Sequence, residues 1–155
     1  HGALKAREAR GSMSGFLAPL LIRELDGDDR RWKLCEPCIY HLCAPDGEEW
    51  VEAPAGFITD FGSIPSLLWG VPGLSPFGKF RRAYVIHDKL YMAPVVRTAT
   101  SARAITRQEA DDILQEAVDV LGANWLNRRI IYRGVRIGGW VAWGKYRRAE
   151  KEAAA

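Results

Sequence analysis

The hydrophobic pattern of the chain changes near residue 79, and this change constrains the fold more than any other feature. Before residue 79, short segments rich in β-branched and aromatic residues alternate with turn signals, which is typical of antiparallel strands. After it, apolar residues recur every three to four positions, which is typical of helices. The sequence therefore predicts an α+β fold, in which a small N-terminal antiparallel β-meander packs against a C-terminal bundle of about three helices.

The β-rich part is predicted to span residues 16–59. Within it, residues 31–43 and 50–59 are predicted as two strands, which are interrupted by Pro37 and Pro54 respectively. Residues 60–78 are rich in Gly, Pro and Ser, yet they also carry many apolar side chains. This composition predicts an ordered loop packed on the body of the fold by Phe61, Ile64, Leu67, Leu68, Trp69 and Phe77.

The helical part is predicted to span residues 79–148 and to begin with a helix over residues 79–92. Pro94 ends this helix, and residues 95–105 are predicted as a polar connection. Four large side chains are spaced so that they share one face of the helix, namely Phe80, Tyr84, His87 and Tyr91.

Two further helices are predicted after this connection. Thr106 and Glu109 have the spacing of a capping box, and Gly122 is suited to end the helix that they start. Residues 124–148 are predicted to be helical, with a break at Gly138-Gly139.

The ends and the cysteines limit the cellular setting. Residues 1–12 lack apolar periodicity and are interpreted as a cloning remnant, which leaves 13–155 as a single domain. Neither a signal peptide nor a membrane-spanning run is predicted. Three closely spaced cysteines are odd in number, so a reduced cytosolic protein is expected rather than a disulfide framework.

Cys35 and Cys38 form a C-x-x-C pair with two possible interpretations. We favour simple alternation along a strand. A zinc site would need two further ligands, and only His41 and Cys43 are near.

The strongest candidate for chemistry is the helical segment that contains His87, Asp88 and Tyr91. Histidine side chains ordinarily titrate near neutrality and can take a proton from water, and a neighbouring carboxylate can hold a hard cation. A second acid is needed to fix the imidazole tautomer. Asp111 on the next helix is the candidate, because two antiparallel helices would bring it beside His87. The alternative is a buried polar network that only fixes two helices.

The H-D-x-x-Y arrangement, followed by an acid on the next helix, resembles secreted phospholipase A2. The resemblance implies that His87 activates water, that Asp88 binds calcium, and that Tyr91 and Asp111 brace the histidine. It also implies that carbonyl groups of a preceding Gly-rich loop, here residues 70–78, ligate calcium. The disulfides of most phospholipases of this type have no counterpart here.

A second resemblance covers most of the chain from residue 50 onward. The series GFITDFGSIP, AYVIHDKLY, RQEADDIL and YRGVRIGGWVAW resembles a phage and prophage family of unknown function, number 1353. The resemblance implies a phage, prophage or gene-transfer-particle origin. It also implies a location in the bacterial host cytoplasm or in the phage particle, and it implies no reaction.

Two residues of the TDFGSIP segment are further candidates. Asp60 is interpreted either as a metal ligand or acid, or as a residue that caps a short turn. Ser63 is interpreted either as a nucleophile with His87 as its base, or as a second turn residue.

The segment from residue 124 onward is basic and aromatic, with eight cations against two anions. We favour an interpretation in which its aromatic side chains pack inward and its cations form a solvated face. An anionic membrane surface or cell-envelope substrate is the next candidate partner, and nucleic acid ranks last.

These observations lead to two hypotheses of different classes. The first is a metal-dependent hydrolase that acts on a cell-envelope ester or amide, with His87 as general base, Ca²⁺ or Zn²⁺ as cofactor, and no organic cofactor. The second is a non-enzymatic virion or host-interaction protein in which the His, Asp and Tyr cluster is structural. The substrate and the oligomeric state stay open.

Overall fold

The structure, a computed structural model, describes residues 15–42, 48–61, 70–71, 74–75 and 77–155. Antiparallel strands dominate the N-terminal part of these residues, and three helices dominate the C-terminal part, which confirms the predicted α+β fold. The elements in chain order are β1 (Gly15–Phe16), β2 (Ile22–Leu25), β3 (Asp28–Leu34), β4 (Cys38–His41), β5 (Trp50–Ala53), β6 (Ile58–Thr59), α1 (Arg81–Met92), β7 (Val95–Arg97), β8 (Ala102–Ala104), α2 (Arg107–Val120) and α3 (Trp125–Ala153).

The strands are divided between two sheets, with the orders β1-β4-β5-β7-β8 and β2-β3-β6. The prediction of single strands over 31–43 and 50–59 is wrong, because each stretch contains two strands that belong to different sheets. Pro37 lies between β3 and β4, and Pro54 lies between β5 and β6. Proline lacks the N–H that a ladder requires, so the chain leaves one sheet at each proline and enters the other.

Residues 95–104 form a hairpin instead of the predicted polar connection. β7 and β8 pair antiparallel, with Val95 opposite Ala104, and β7 also pairs with β5. The turn is closed by the backbone N–H of Thr98, which donates to the Ser101 carbonyl oxygen at 2.8 Å. Only Val96 of the six strand residues is buried. Backbone pairing at the sheet edge therefore fixes this segment, and the hydrophobic pattern gave no sign of it.

Helix α1 is the central element of the core, because it packs against α2, α3, β4 and β5. The four residues predicted to share one face are all buried, although Phe80 lies at the N-cap, just before α1. Further buried residues surround most of the helix, since the sheet covers one side and two helices cover the other. These residues are Ala83, Val85, Ile86 and Leu90.

The predicted ends of α2 are confirmed. The Thr106 side chain accepts a hydrogen bond from the Glu109 backbone N–H at 3.2 Å, and the Glu109 carboxylate accepts one from the Thr106 N–H at 2.9 Å. Gly122 has a φ of +83°, which favours glycine after a helix. Asn124 caps α3 by accepting from the Asn127 N–H at 2.8 Å. This short connection returns α3 along α2 and α1.

Helix α3 is continuous over 29 residues, so the predicted break at Gly138-Gly139 is wrong. A Cβ at Gly139 would overlap the Tyr91 hydroxyl oxygen and lie 3.1 Å from the Tyr91 ring carbon that bears it. Glycine at this position thus permits close helix packing rather than a bend. Arg147 links the C-terminal part of α3 to α1, because its guanidinium donates to the Tyr91 carbonyl oxygen at 3.0 Å.

Candidate active site

Helices α1 and α2 bring His87 and Asp111 together, as the sequence predicted. His87 Nε2 lies 2.8 Å from Asp111 Oδ1. Both side chains are buried, with His87 2% exposed and Asp111 fully covered. The pair is therefore shielded from bulk water, which strengthens its electrostatic interaction.

Asp111 accepts hydrogen bonds on both carboxylate oxygens. Oδ1 accepts from His87 and from the Tyr91 hydroxyl at 2.7 Å. Oδ2 lies 2.8 Å from a guanidinium nitrogen of Arg136 and 3.5 Å from one of Arg107. A carboxylate offers about four lone-pair positions. Four donors from three helices therefore occupy the acceptor capacity of Asp111.

The two arginines are functional neighbours that the sequence reasoning missed. A buried carboxylate is stable only when a cation or several donors compensate its charge. Arg107 precedes Asp111 by four residues on one helix, and this spacing alone could have indicated the pair. Arg136 comes from α3, and only the tertiary fold places it beside Asp111.

The hydrogen bonds decide the charge of Asp111. Burial raises the pKa of this carboxyl, but the bonds from His87, Tyr91 and Arg136 outweigh burial and hold the pKa below its ordinary value. Asp111 is therefore an anion and can only accept. His87 Nε2 must then carry the proton of the shared hydrogen bond, and Nδ1 is the ring nitrogen that does not contact Asp111.

Tyr91 supports the same arrangement as a neutral donor. Burial, followed by the hydrogen bond to Asp111, raises the pKa of the Tyr91 phenol. Its ring also lies 4.2 Å from the His87 ring, centroid to centroid. Tyr91 thus contacts both the carboxylate and the imidazole.

His87 also lines a cavity of about 260 Å³. Asp88, Tyr91 and Asp60 share this cavity, whereas Asp111 does not reach it. Helix α3 forms the opposite wall through Gly134, Val135, Gly138, Gly139, Ala142, Lys145 and Tyr146. The cavity is large enough for several water molecules. His87 therefore contacts a buried carboxylate and also lines a space that can hold a reactant.

Small residues on α3 make the room for this cavity. Gly134, Gly138 and Ala142 follow one another at intervals of four, so they lie on one helix face. A Cβ at Gly138 would meet no heavy atom within 4 Å. The sequence reasoning missed this wall, because it took the adjacent glycines as a helix break. The four-residue spacing was the signal available.

Asp60, which follows β6, and Asp88 of α1 line the same cavity. The Thr59 hydroxyl donates to Asp88 Oδ2 at 2.5 Å and accepts from the Phe61 N–H at 3.1 Å. Phe61 is buried and adopts a positive φ of 53°, a conformation that is uncommon outside glycine. Asp60 between them is exposed and lines the cavity. Thr59 is a further residue that sequence reasoning missed.

The Tyr146 phenol interacts electrostatically with both Asp88 and Asp60. Burial, followed by the negative charges of Asp88 and Asp60, raises the pKa of the Tyr146 phenol. Lys145 is the cation on the cavity lining, against the two carboxylates. Among the described residues, the lining therefore combines the His87 imidazole with two carboxyl groups, one ammonium group and two phenols.

The cavity offers two carboxylates as possible ligands for a cation. Within the described parts of the chain, no group of three His, Cys, Asp or Glu side chains is placed to hold a metal ion. Zinc sites use three or four such ligands. Calcium accepts two carboxylates together with carbonyl and water oxygens, so Asp60 and Asp88 fit part of a calcium site.

The cysteine pair has a different environment. Cys38 is buried in β4, and burial raises the pKa of its thiol to about 12. Cys35 is an exposed free thiol in the bend before β4, so the two do not alternate along one strand as predicted. His41 stacks on Trp50 with 5.8 Å between ring centroids. Neither described cysteine lies at the cavity.

Some predicted residues lie outside the described part of the chain. They include Ser63, Cys43 and the apolar residues predicted to pack the 60–78 loop between positions 62 and 69. The predicted calcium loop over 70–78 is described only in part. Of the loop residues that are described, Phe61 is buried as expected, whereas Phe77 is half exposed and contacts the Phe61 ring edge-on.

Comparison with protein families places the chain in one family. The family model described as "Protein of unknown function (DUF1353)" matches residues 32–135, about two thirds of the chain. The chain therefore belongs to this family. The matched stretch contains Asp60, His87, Asp88 and Asp111, and it ends one residue before Arg136. A search of curated proteins and a search of solved structures each gave no match.

Proposed function

We propose that this family member is a phage-derived hydrolase that uses His87 as general base to cleave an ester or amide of the bacterial cell envelope. One observation carries the proposal. His87 is held through Nε2 by a buried carboxylate, and it lines a cavity that also contains two further carboxylates. A purely packed histidine needs the first feature but not the second.

The proposed reaction begins with water in the cavity. His87 Nδ1 takes a proton from this water, and the hydroxyl oxygen forms a bond to the substrate carbonyl carbon. The resulting tetrahedral intermediate then breaks its bond to the leaving oxygen or nitrogen. The imidazolium returns the proton to the leaving group, so His87 ends the cycle neutral. Asp111 stabilises the imidazolium while it exists.

Asp88 and Asp60 would hold a hard cation such as Ca²⁺, which polarises the carbonyl oxygen and stabilises the oxyanion. Thr59 supports this role, because its hydroxyl fixes the orientation of the Asp88 carboxylate. Tyr91 keeps the imidazole plane in place through its contact with Asp111 and the His87 ring.

The test is hydrolysis of phospholipid vesicles and of purified peptidoglycan, with released fatty acid and released amine measured in parallel. His87→Gln is expected to lower kcat/KM by about 10³-fold or more, since it removes the general base. His41→Gln is the matched control, because His41 lies on β4 and not at the cavity. Full activity of the His87 variant, or no release by the wild type with Ca²⁺ or Zn²⁺ supplied, contradicts the proposal.

A second candidate function is a non-enzymatic virion or host-interaction protein. It is supported by the four donors on Asp111, which link all three described helices whatever the cavity does. Under this alternative, His87→Gln lowers the melting temperature strongly, and the wild type neither takes up metal nor acts on envelope substrates. An unchanged melting temperature in that variant counts against it.

A further inference from the structure

The face of α3 that points away from the cavity carries large apolar side chains in an exposed position. Ile137 is 75% exposed, Trp140 is 65% exposed and Val141 is 55% exposed. Their spacing of three and four residues places them together on one side of the helix. A contiguous apolar patch of this kind is typical of an interaction surface. We call these three residues the α3 patch.

Exposed cations border the α3 patch. Arg133 and Arg148 lie one turn before it and about two turns after it. Within the described residues, neither arginine forms an ion pair. Other arginines of α3 are paired, since Arg128 contacts Asp119 at 2.5 Å and Arg136 contacts Asp111 at 2.8 Å. The unpaired charge is therefore concentrated on the outward face.

The aromatic side chains of α3 divide between the two faces. Trp143 packs edge-on against Tyr91, with 5.3 Å between ring centroids, and Tyr146 lines the cavity. The expectation that the aromatics pack inward holds for these two and is wrong for Trp140 and Trp125, which are each 65% exposed. Exposed tryptophan beside cations is typical of surfaces that lie at a membrane interface.

We infer that the α3 patch docks onto an anionic lipid bilayer. Ile137, Trp140 and Val141 would enter the interfacial region, while Arg133 and Arg148 would meet the lipid phosphates. A second copy fits less well, because a symmetric contact would bring the same unpaired arginines together. A nucleic acid would use the cations but would leave the apolar side chains without a partner.

Lys145 lies between the two faces of α3. It is exposed, lies one turn beyond Val141 and also lines the cavity. The inference rests on the exposed side chains and unpaired charges alone, and it stands whether or not the cavity is catalytic.

The test is co-sedimentation of the full chain with phosphatidylcholine vesicles that contain or lack phosphatidylglycerol. Binding is expected only with phosphatidylglycerol and is expected to weaken as salt is raised. The double variant Arg133→Gln/Arg148→Gln should bind about 30-fold more weakly, since each cation near an anionic surface contributes about fivefold. Ile137→Ser should weaken binding without changing the melting temperature, because Ile137 is exposed.

The matched control is Arg23→Gln/Arg97→Gln, which removes the same charge from exposed positions on β2 and β7. It should bind within about twofold of the wild type. Equal losses in both double variants would overturn the inference, because net charge alone would then explain binding. Absence of binding at low salt would also overturn it. So would a change from dimer to monomer in the Ile137 variant without vesicle binding, which would identify a second copy as the occupant.

Discussion

The two carboxylates near His87 differ in their burial and in their hydrogen-bond partners. On one side, Asp111 is fully buried and is bonded to residues of all three helices. On the other side, Asp88 is only partly buried, is oriented by Thr59 and lines the cavity. Asp111 and Asp88 therefore belong to one cluster but have different surroundings.

The difference teaches which role each carboxylate can have. A buried anion whose acceptor positions are all occupied cannot bind a further ligand, so Asp111 can only hold and orient. Asp88 lines the cavity, so a reactant or a cation in that space would lie next to its carboxylate. We therefore expect stability to depend on Asp111, and activity to depend on both.

The largest effect is expected when the two carboxylates are replaced separately. Asp111→Asn should lower the free energy of unfolding by about 4 kcal/mol, because it leaves Arg136 and His87 without their buried partner. Asp88→Asn should lower it by about 1 kcal/mol or less, yet abolish hydrolysis. Urea unfolding and the vesicle assay measure the two quantities. Equal losses of stability in the two variants would contradict the proposed difference between Asp111 and Asp88.

The next effect concerns the contact between α1 and α3. Gly139→Ala should cost about 2 kcal/mol, because its methyl group would overlap the Tyr91 hydroxyl. Gly138→Ala is the matched control and should stabilise the protein by up to about 1 kcal/mol, since it removes a helix glycine in open space. Tyr91→Phe should reduce the cost of Gly139→Ala. Thermal melts of the three single variants and the Tyr91/Gly139 double variant measure this coupling.

A smaller difference is expected between the two arginines that contact Asp111. Arg136 lies at 2.8 Å and Arg107 at 3.5 Å from the same oxygen. Arg136→Gln should therefore cost about 1.5 kcal/mol and Arg107→Gln about 0.5 kcal/mol. Chemical denaturation compares them directly. Arg107 also donates to the carbonyl oxygens of Val135 at 3.4 Å and Arg136 at 3.3 Å. A larger loss for Arg107 would show that these bonds outweigh its contact with the carboxylate.

The smallest effect is expected for the stability of the protein in acid. The pKa of Asp111 is lowered in the folded state. Its ionised form therefore contributes stability that is fully present above the unfolded pKa of about 3.9, and this contribution is lost as pH falls through the folded pKa. The stability gap between the wild type and Asp111→Asn should shrink below about pH 4. Urea unfolding from pH 7 down to acid measures the gap, and a gap that widens in acid would contradict the assignment.

Local signals allowed the sequence to predict the elements that depend on neighbouring residues. Thr106 and Glu109 fixed the start of α2, and Gly122 fixed its end. The meeting of His87 with Asp111 also followed from helix periodicity and antiparallel packing. These features depend on spacings of three to four residues or on one short connection. Such spacings can be recognised in a single sequence.

The features that the sequence did not reveal depend on distant contacts. The glycine pair on α3 stays helical because Tyr91 packs against Gly139 from another helix. The hairpin over 95–104 forms because β5 offers an edge to β7. Arg136 reaches Asp111 from 25 residues away. In each case tertiary packing outweighs local propensity, so propensity alone predicted the wrong element or missed the partner.

The tautomer of His87 is the most direct measurement of the central claim. The chain has three histidines, so imidazole ¹⁵N resonances can be assigned by comparison with His87→Gln and His41→Gln. We predict that Nε2 carries the imidazole proton shared with Asp111, and that the Nε2 signal changes in Asp111→Asn. A proton on Nδ1, or a His87 signal that is indifferent to Asp111→Asn, would contradict the claim that a buried carboxylate prepares His87 as a base.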